Sequence, residues 1–388
     1  MAVPFAYSWR NLFTRRLTTA FTAGGMALVI FVFTATLMLA EGLRRTLVAT
    51  GSPDNVIVLR KGSETEVQSG IARDAASAVV TAPQIAVTPD GLPLAARESV
   101  VLLALVKKST GKVSNVVIRG TERASLPLRP QIRLVEGRLP RQGTPEIMVG
   151  ESVAKGFAGV GIGQSLRFGK RDWPVVGIFS AGNTGFNSEI WGDVDQLLPA
   201  FGRRGFSVVV AGLRDRADYP AFKKAVEDDP RFQAEAWQEI RYYEKQSDMM
   251  RTFLTVLGVS LTSIFSLGAM IGAMITMYAA VASRVPEIGA LRAMGFSRGG
   301  ILTAFLLESL LLGGLGGVAG VGLAAGLSFV TFSTINFQTF SELAFRFALT
   351  PKIVVLALAF SLLMGVVGGF LPAVRAARMN IVEALRQG

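Results

Sequence analysis

The sequence predicts an α-helical membrane protein with four transmembrane helices and a large two-lobed α+β domain inserted between helices 1 and 2. Three observations carry this. Four runs are free of charge, or nearly so, over the length a bilayer core requires. The long segment between the first two runs reads as short β-rich pieces instead. Half of the 388 residues are hydrophobic, yet the net charge is +12, the balance of a membrane protein with arginine-rich flanks.

The first run, Thr18 to Ala40, would extend about 34 Å as a helix at ~1.5 Å per residue. It starts late and is longer than a cleaved signal's apolar core, and "AEGLRRTLVATG" offers no convincing cleavage site, so it is read as a retained helix. Thr252 to Ser283 exceeds what a bilayer needs; its helix starts outside the hydrocarbon or tilts within it. Gly299 to Phe332 carries only Glu308, and Ile353 to Val374 closes against Pro372 and Arg375. The expected boundaries are therefore an arm at 1–17, spans at 18–40, 252–283, 299–332 and 353–374, and an inserted domain at 41–251. A basic loop occupies 284–298, a short loop 333–352 and a tail 375–388. Four spans put the arm, the basic loop and the tail on one side. Their arginines (Arg10, Arg15, Arg16; Arg284, Arg292, Arg298; Arg375, Arg378, Arg386) make that side the cytoplasm and leave the large domain external.

Within the external domain, strands are expected at Asn55–Arg60, Val100–Lys108, Val113–Gly120, Glu146–Gly150, Gln164–Gly169, Trp173–Ser180 and Phe206–Leu213. Helical pieces fall at Gly70–Val80, Val153–Phe157 and Tyr219–Glu227. Strands cluster on both sides of the 150s, which suggests the two lobes. Glu41 to Thr50 continues the first helix, and Ala236 to Phe253 reads as a helix leading into the second span.

The sequence has no Cys and no His, which removes disulfides, Cys nucleophiles, Ser-His-Asp arrangements and zinc sites built on those residues. No catalytic, cofactor or metal site is assigned. "SEIWGDVDQLL" (Ser188–Leu198) is the most site-like external patch, but it reads as a strand end and a helix start with Asp193 at the N-cap. "STGKVS" (Ser109–Ser114) lacks the phosphate-loop glycine and Ser/Thr and reads as a hairpin turn, and no Walker A sequence occurs. Phe186 and Trp191 read as core or turn-filling aromatics rather than cargo contacts.

Glu308 has two readings: a glutamate satisfied by Arg298 or Arg292, or a relay joining the third helix to the basic loop. One intramembrane carboxylate argues against a coupled ion pump. Gly313, Gly317 and Gly320 belong to the pairs Gly313–Gly317 and Gly316–Gly320, which with Gly322–Gly326 have the small-xxx-small spacing that lets helix backbones approach closely, within one subunit or between two. The basic loop, "RVPEIGALRAMG", has Pro286 at a helix start and Gly295 at its stop. Ile288, Leu291 and Met294 fall on one side, with Glu287 and Arg292 near the rim. Spacing leaves a groove on another protein and a lipid surface equally open as its partner.

"SRVPEIGALRAMGFSRGGILTAFLLESLLLGGLGG" resembles the basic loop and third helix of MacB/FtsX-type (type VII) ABC transporter permeases. "GGFLPAVRAARMNIVEALR" is similar to their closing segment, "YSWRNLFTRRLTTAFTAGGMAL" to their entry helix, and Glu146–Phe179 to their MacB-like periplasmic core domain. Ser283 stands where an acidic residue is usual, and Asn380-Ile381 replace a common proline. The resemblance implies a non-enzymatic permease of the bacterial inner membrane, with both termini cytoplasmic and the large domain periplasmic. It implies a homodimer or a pair of related permeases bound to two separate ABC ATPase subunits, which hold ATP and Mg. A periplasmic adaptor and an outer-membrane channel are further implied partners; nucleic acid is not. Arg284, Pro286, Glu287, Ile288, Leu291, Arg292 and Met294 would form the coupling helix. Motion would pass through stalks at about Leu39–Thr50 and Ala236–Phe253. Export or extraction of a periplasmic or membrane cargo is then the leading function. An FtsX-like regulator of a periplasmic enzyme is the alternative, and a simple receptor would leave the basic loop and tail unexplained.

Overall fold

The computed structural model describes residues 16–336 and 339–379. Arg10, Arg15, Arg386 and the closing motif from Asn380 onward lie outside the described residues. In chain order the elements are α1 (Arg16–Val48), β1 (Asn55–Arg60), α2 (Arg73–Val80), β2 (Ala95–Val106), β3 (Val113–Thr121), β4 (Arg133–Gly137) and β5 (Ile147–Gly150). Then come α3 (Glu151–Gly156), β6 (Ser165–Phe168), β7 (Arg171–Ser180), β8 (Glu189–Asp193), α4 (Val194–Ala200), β9 (Val208–Gly212), α5 (Tyr219–Glu227) and β10 (Ala234–Gln238). The chain closes with α6 (Glu239–Ala282), α7 (Val285–Ala293), α8 (Arg298–Ala325), β11 (Thr331–Asn336), β12 (Ser341–Arg346) and α9 (Pro351–Ala377). Two compact units result: one of helices (through Glu41, 251–330 and from 347) and one α+β unit (42–250 with 331–346).

The helical unit contains four helices long and apolar enough to cross a membrane: α1, α6, α8 with its 3-10 extension to Phe329, and α9. Glycines of α8 set how closely these pack. A Cβ on Gly313 would stand 2.7 Å from the Ser361 carbonyl oxygen of α9, and one on Gly317 2.8 Å from Ser361 Oγ. On another face of α8, a Cβ at Gly320 would meet Ala27 O at 2.6 Å and one at Gly316 would meet Met26 Cβ at 2.8 Å, both in α1. Gly313, Gly317 and Gly320 are thus all occupied by neighbours within the same chain. The two open sides of the glycine pattern resolve into contacts with two different helices.

In the α+β unit one sheet runs β10-β1-β9-β2-β3-β8-β5-β7-β4, with β6 on β7. β2 belongs to both halves: Ala95–Glu98 pair with β9, and Ser99–Val106 pair with β3. The lobes therefore divide within β2, not in the 150s. β5 and β7, on either side of residue 150, are parallel neighbours in one lobe. Alternation along β1 explains the layering. Val56 and Val58 face α2 and α5 in one core with Val79, Val209, Phe222 and Val226. Ile57 and Leu59 face the other side, where Tyr242 and Tyr243 of α6 pack. The second lobe closes over Val116, Ile118, Ile147, Val149, Trp173 and Leu197.

Three expected boundaries shift. Ala236 belongs to β10, because Ala234 and Ala236 alternate inward and pair with Arg60 and Val58; the second stalk helix starts at Glu239. Thr331 and Phe332 leave the third span, whose α-helix stops at Ala325, and open a hairpin with β12. That hairpin groups with the α+β unit, with Leu343 and Phe345 buried at alternate positions, so 333–352 is not a plain loop. β4, like β10, β11 and β12, is a strand beyond the expected set, and the strand end expected at Ser188–Leu198 is a full strand, β8. Asp193 does cap α4, accepting from the Asp195 and Gln196 amides, and Phe186 and Trp191 are fully buried core residues.

Changing Gly313 to Val inserts a branched side chain against the α9 backbone. It should lower stability by roughly 1–3 kcal/mol, read as an earlier denaturation midpoint in detergent; an unchanged midpoint would show that α8 and α9 are not held at this distance.

Candidate functional site

α7 is a short helix with both ends fixed. Pro286 lies in its first turn, and Gly295 (φ 93°) closes it in a Schellman arrangement, with Phe296 N donating to Leu291 O and Gly295 N to Arg292 O. Ser297 then caps α8, its Oγ accepting from Gly300 N at 3.1 Å. The expected apolar side is split. Ile288 is buried with Met277, Val281, Ile301 and Phe305, Leu291 is half-buried, and Met294 is 64% exposed. The outward stripe is Pro286, Glu287, Ala290, Ala293 and Met294, spaced for one helical face.

Glu308 is satisfied by Arg284, not by Arg298 or Arg292. Arg284 Nη1 donates to Oε2 at 2.8 Å and Nη2 to Oε1 at 3.3 Å, and both side chains are buried. Helix geometry explains the choice. Arg298 lies on the same helix roughly 15 Å away along the axis, at its exposed start, while Arg292 donates to the Phe296 carbonyl. Glu308 shares the inward face of α8 with Ile301, Ala304, Phe305 and Leu312. Of the residues expected on the coupling surface, Arg284 and Ile288 therefore anchor α7 from within. Pro286, Glu287 and Met294 are outside, with Leu291 and Arg292 between.

The α+β unit contains a second constellation that no motif signalled. Arg119 of β3 is buried and donates to three carboxylates: Glu189 (Nε, 2.7 Å), Glu66 (Nη1, 2.8 Å) and Glu98 (Nη1, 2.9 Å). Arg129 pairs with Glu98 as well, Nη2 to Oε2 at 2.9 Å. The Phe186 ring lies 5.3 Å from the Arg119 guanidinium and 4.7 Å from that of Arg129. Burial pushes the Glu98 carboxyl up, but Arg129 and Arg119 outweigh it and hold it below the ordinary carboxylate range.

The ends of both stalk helices meet this cluster. Tyr242 OH accepts from the Glu66 amide at 3.1 Å and from Gln246 Nε2 at 2.7 Å. Thr50, just past α1, accepts from Gly185 N at 2.7 Å. A Cβ on Gly51 would lie 2.7 Å from Ile240 Cα, so the two roots touch backbone to backbone. The sequence trace of the cluster is faint: Glu98, beside Arg97 at the start of β2's apolar run, and Arg119, at the end of the apolar run Val116–Ile118 of β3, are charges that burial rarely tolerates without partners. Among the described residues no group of three or more acidic side chains is arranged to hold a metal ion.

Removing one partner of a buried pair strands the other charge. Glu308→Gln alone should cost on the order of 3 kcal/mol, and Arg284→Met combined with Glu308→Leu should recover most of it. Denaturation midpoints of the three proteins in detergent measure this; equal losses in the single and double variants would contradict a mutual pairing.

Two family models match the chain: the MacB-like periplasmic core domain over residues 19–229 and the FtsX-like permease C-terminal domain over 259–381. The macrolide export ATP-binding/permease protein MacB of Neisseria meningitidis serogroup A is 29% identical over 240 residues, 58% of this chain and 35% of the relative. The uncharacterized ABC transporter permease YknZ of Bacillus subtilis is 29% identical over 204 residues, 51% of this chain and 49% of the relative. The chain thus spans about a third to a half of the length of these curated relatives. Among solved structures, the periplasmic region of MacB from Actinobacillus actinomycetemcomitans aligns with a TM-score of 0.37 at 13% identity, covering 53% of this chain and 94% of that one. With the two matches together running through most of its length, the chain belongs to the MacB/FtsX-type ABC transporter permease family.

Proposed function

We propose that this protein is the permease subunit of an ABC transporter that couples ATP hydrolysis by a separate ATPase subunit to conformational change in its α+β domain. The observation that carries this is α7. It is a short helix, capped at both ends and clasped from within by Arg284–Glu308, which presents Pro286, Glu287, Ala290, Ala293 and Met294 outward. Such a stripe suits a groove on a partner protein. α6 ends at Ala282, just before α7, and runs as one helix back to Glu239 at the root of the α+β unit. A push on α7 therefore has a continuous helix to act through.

In this reading both termini and α7 are cytoplasmic and the α+β domain is periplasmic, in a bacterial inner membrane. ATP and Mg reside on the ATPase, a second permease copy completes the assembly, and an adaptor and outer-membrane channel extend it outward. The cargo is a periplasmic or membrane-embedded molecule that is exported or extracted, consistent with the export named for the MacB relatives. The large α+β unit favours this over a regulator that only switches a periplasmic enzyme.

Met294→Asp places a charge on the outward stripe without touching the buried side of α7. It should cut co-purification with the cognate ATPase at least tenfold while membrane insertion is kept; undiminished binding would remove α7 as the docking element. The purified chain without that ATPase should show no ATP turnover, and measurable hydrolysis would overturn the division of labour.

A further inference from the structure

The large sheet of the α+β unit runs from β10 at one edge to β4 at the other, and the two edges are finished differently. At β10 the outward backbone groups are taken. Ala236 N donates to the Glu227 carboxylate at 3.2 Å, and the Ala236 carbonyl accepts from Tyr219 OH at 3.2 Å. Trp237 beside them lies against the ammonium groups of Lys223 (5.4 Å) and Lys245 (4.6 Å). Covering of this kind closes a sheet edge to further strands. β4 has none of it. It pairs with β7 alone, all five of its residues are exposed, and among the described residues no side chain bonds to its backbone. Val135, 58% exposed, is the residue that β7 skips between Leu134 and Glu136, and Leu134 and Leu139 are exposed as well.

Beside this edge, in the same lobe, lies a cavity of about 230 Å³. Leu126, Leu139 and Pro140 line it together with Met148 and Trp191, paired neighbours on β5 and β8 that are both buried. Arg123 and Arg141 line it too, and both are exposed. The carboxylates nearby are already engaged: Glu122 with Arg97, Glu146 with Arg138, and Asp193 with the α4 amides and Gly143 N. Among the described residues, Arg123, Arg141 and, on β4 itself, Arg133 are in no ion pair, and they face only the exposed Glu136 of the same strand as a counter-charge.

We propose that β4 is a docking strand for an extended, acidic segment of a partner protein, which pairs with the free edge and seats an apolar side chain in the cavity beside Leu139. Main-chain hydrogen bonds supply the strand addition, while the cavity and the arginines select among strands. Charge decides the occupant. Three uncommitted guanidinium groups against one carboxylate favour a segment rich in Asp or Glu. A second copy pairing through its own β4 would bring two sets of the same arginines together. Arginines on an edge also repel basic strands and resist purely apolar ones, so this edge is open to a complementary strand and closed to the rest. The surface lies wholly within the α+β unit, and nothing in it depends on α7 or on an ATPase.

A phage-displayed library of random linear peptides, panned on the full-length protein in lipid nanodiscs, supplies the probe. Enriched sequences should combine Asp or Glu with an apolar residue, and a synthetic peptide of that sequence should bind more weakly as salt is raised. Its affinity should fall at least tenfold for the double variant Arg123→Glu with Arg141→Glu, and stay unchanged for Lys223→Glu at the opposite edge. Bound peptide should also slow amide exchange across 133–139, which strand pairing produces and charge attraction alone does not. Enrichment of neutral or basic sequences, no enrichment, equal binding by the double variant, or no slowing across 133–139 would each overturn the proposal. So would equal protection of these amides by dextran sulfate, which would mark a general anion surface instead. Loss of ATPase binding through α7 would leave every one of these outcomes untouched.

Discussion

Arg119 enters the α+β unit from the middle of β3 and meets carboxylates from three places far apart in sequence: Glu66, Glu98 on β2 and Glu189 on β8. A guanidinium buried to this depth is tolerated only when its donors are satisfied, and here all three nitrogens are in use. The consequence is positional. β2, β3 and β8 are consecutive members of the sheet, and the segment carrying Glu66 is drawn over them. Arg129 and Phe186 complete the enclosure, and the stalk roots at Thr50, Gly51 and Glu239–Gln246 pack where it closes. The sheet, the lobe division in β2 and the seating of both roots share this one charged centre.

The helical unit solves a different problem by different means. Lipid-facing helices gain little from apolar association with one another, so close backbone approach and satisfied polar groups decide their packing. α8 supplies both. Its glycines admit α1 and α9, and Glu308 accepts Arg284 from the segment that follows α6. This makes the position of α7 a property of α8. The outward stripe around Met294 is held by a buried ion pair on the opposite side of the same short helix, and Ile288 packs between. Rigid support of this kind beneath the exposed stripe is what the docking role proposed for α7 would require.

Much of this was legible in residue patterns. Long uncharged runs identify spans because an unpaired charge or backbone group in hydrocarbon is costly. The α7 limits follow from Pro286 and Gly295, and the turn at Gly111 and the Asp193 cap follow from local chemistry, since each depends on neighbours in sequence. Three features are hidden in the residue pattern, each for its own physical reason. Ala234–Gln238 alternates over too few residues to compete with the helix that follows it, and Thr331 and Phe332 continue the uncharged run of the third span although they open a hairpin. The lobe boundary is invisible because a single strand, β2, serves both lobes by changing partners at Glu98–Ser99.

The sequence alone therefore determined the class of molecule, its spans, its inserted α+β domain and the ends of its short helix, all of which rest on local composition and periodicity. Partner choice was decided only by the tertiary structure. Arg284 rather than Arg298 reaches Glu308, Ile288 rather than Met294 turns inward, and Gly313 and Gly320 meet two different helices of their own chain. Arg119 gathers three glutamates that nothing in the sequence marks as neighbours. An ion pair or a backbone contact is fixed by distance in space, and side chains of one type are equivalent in sequence until the fold brings one of them within reach.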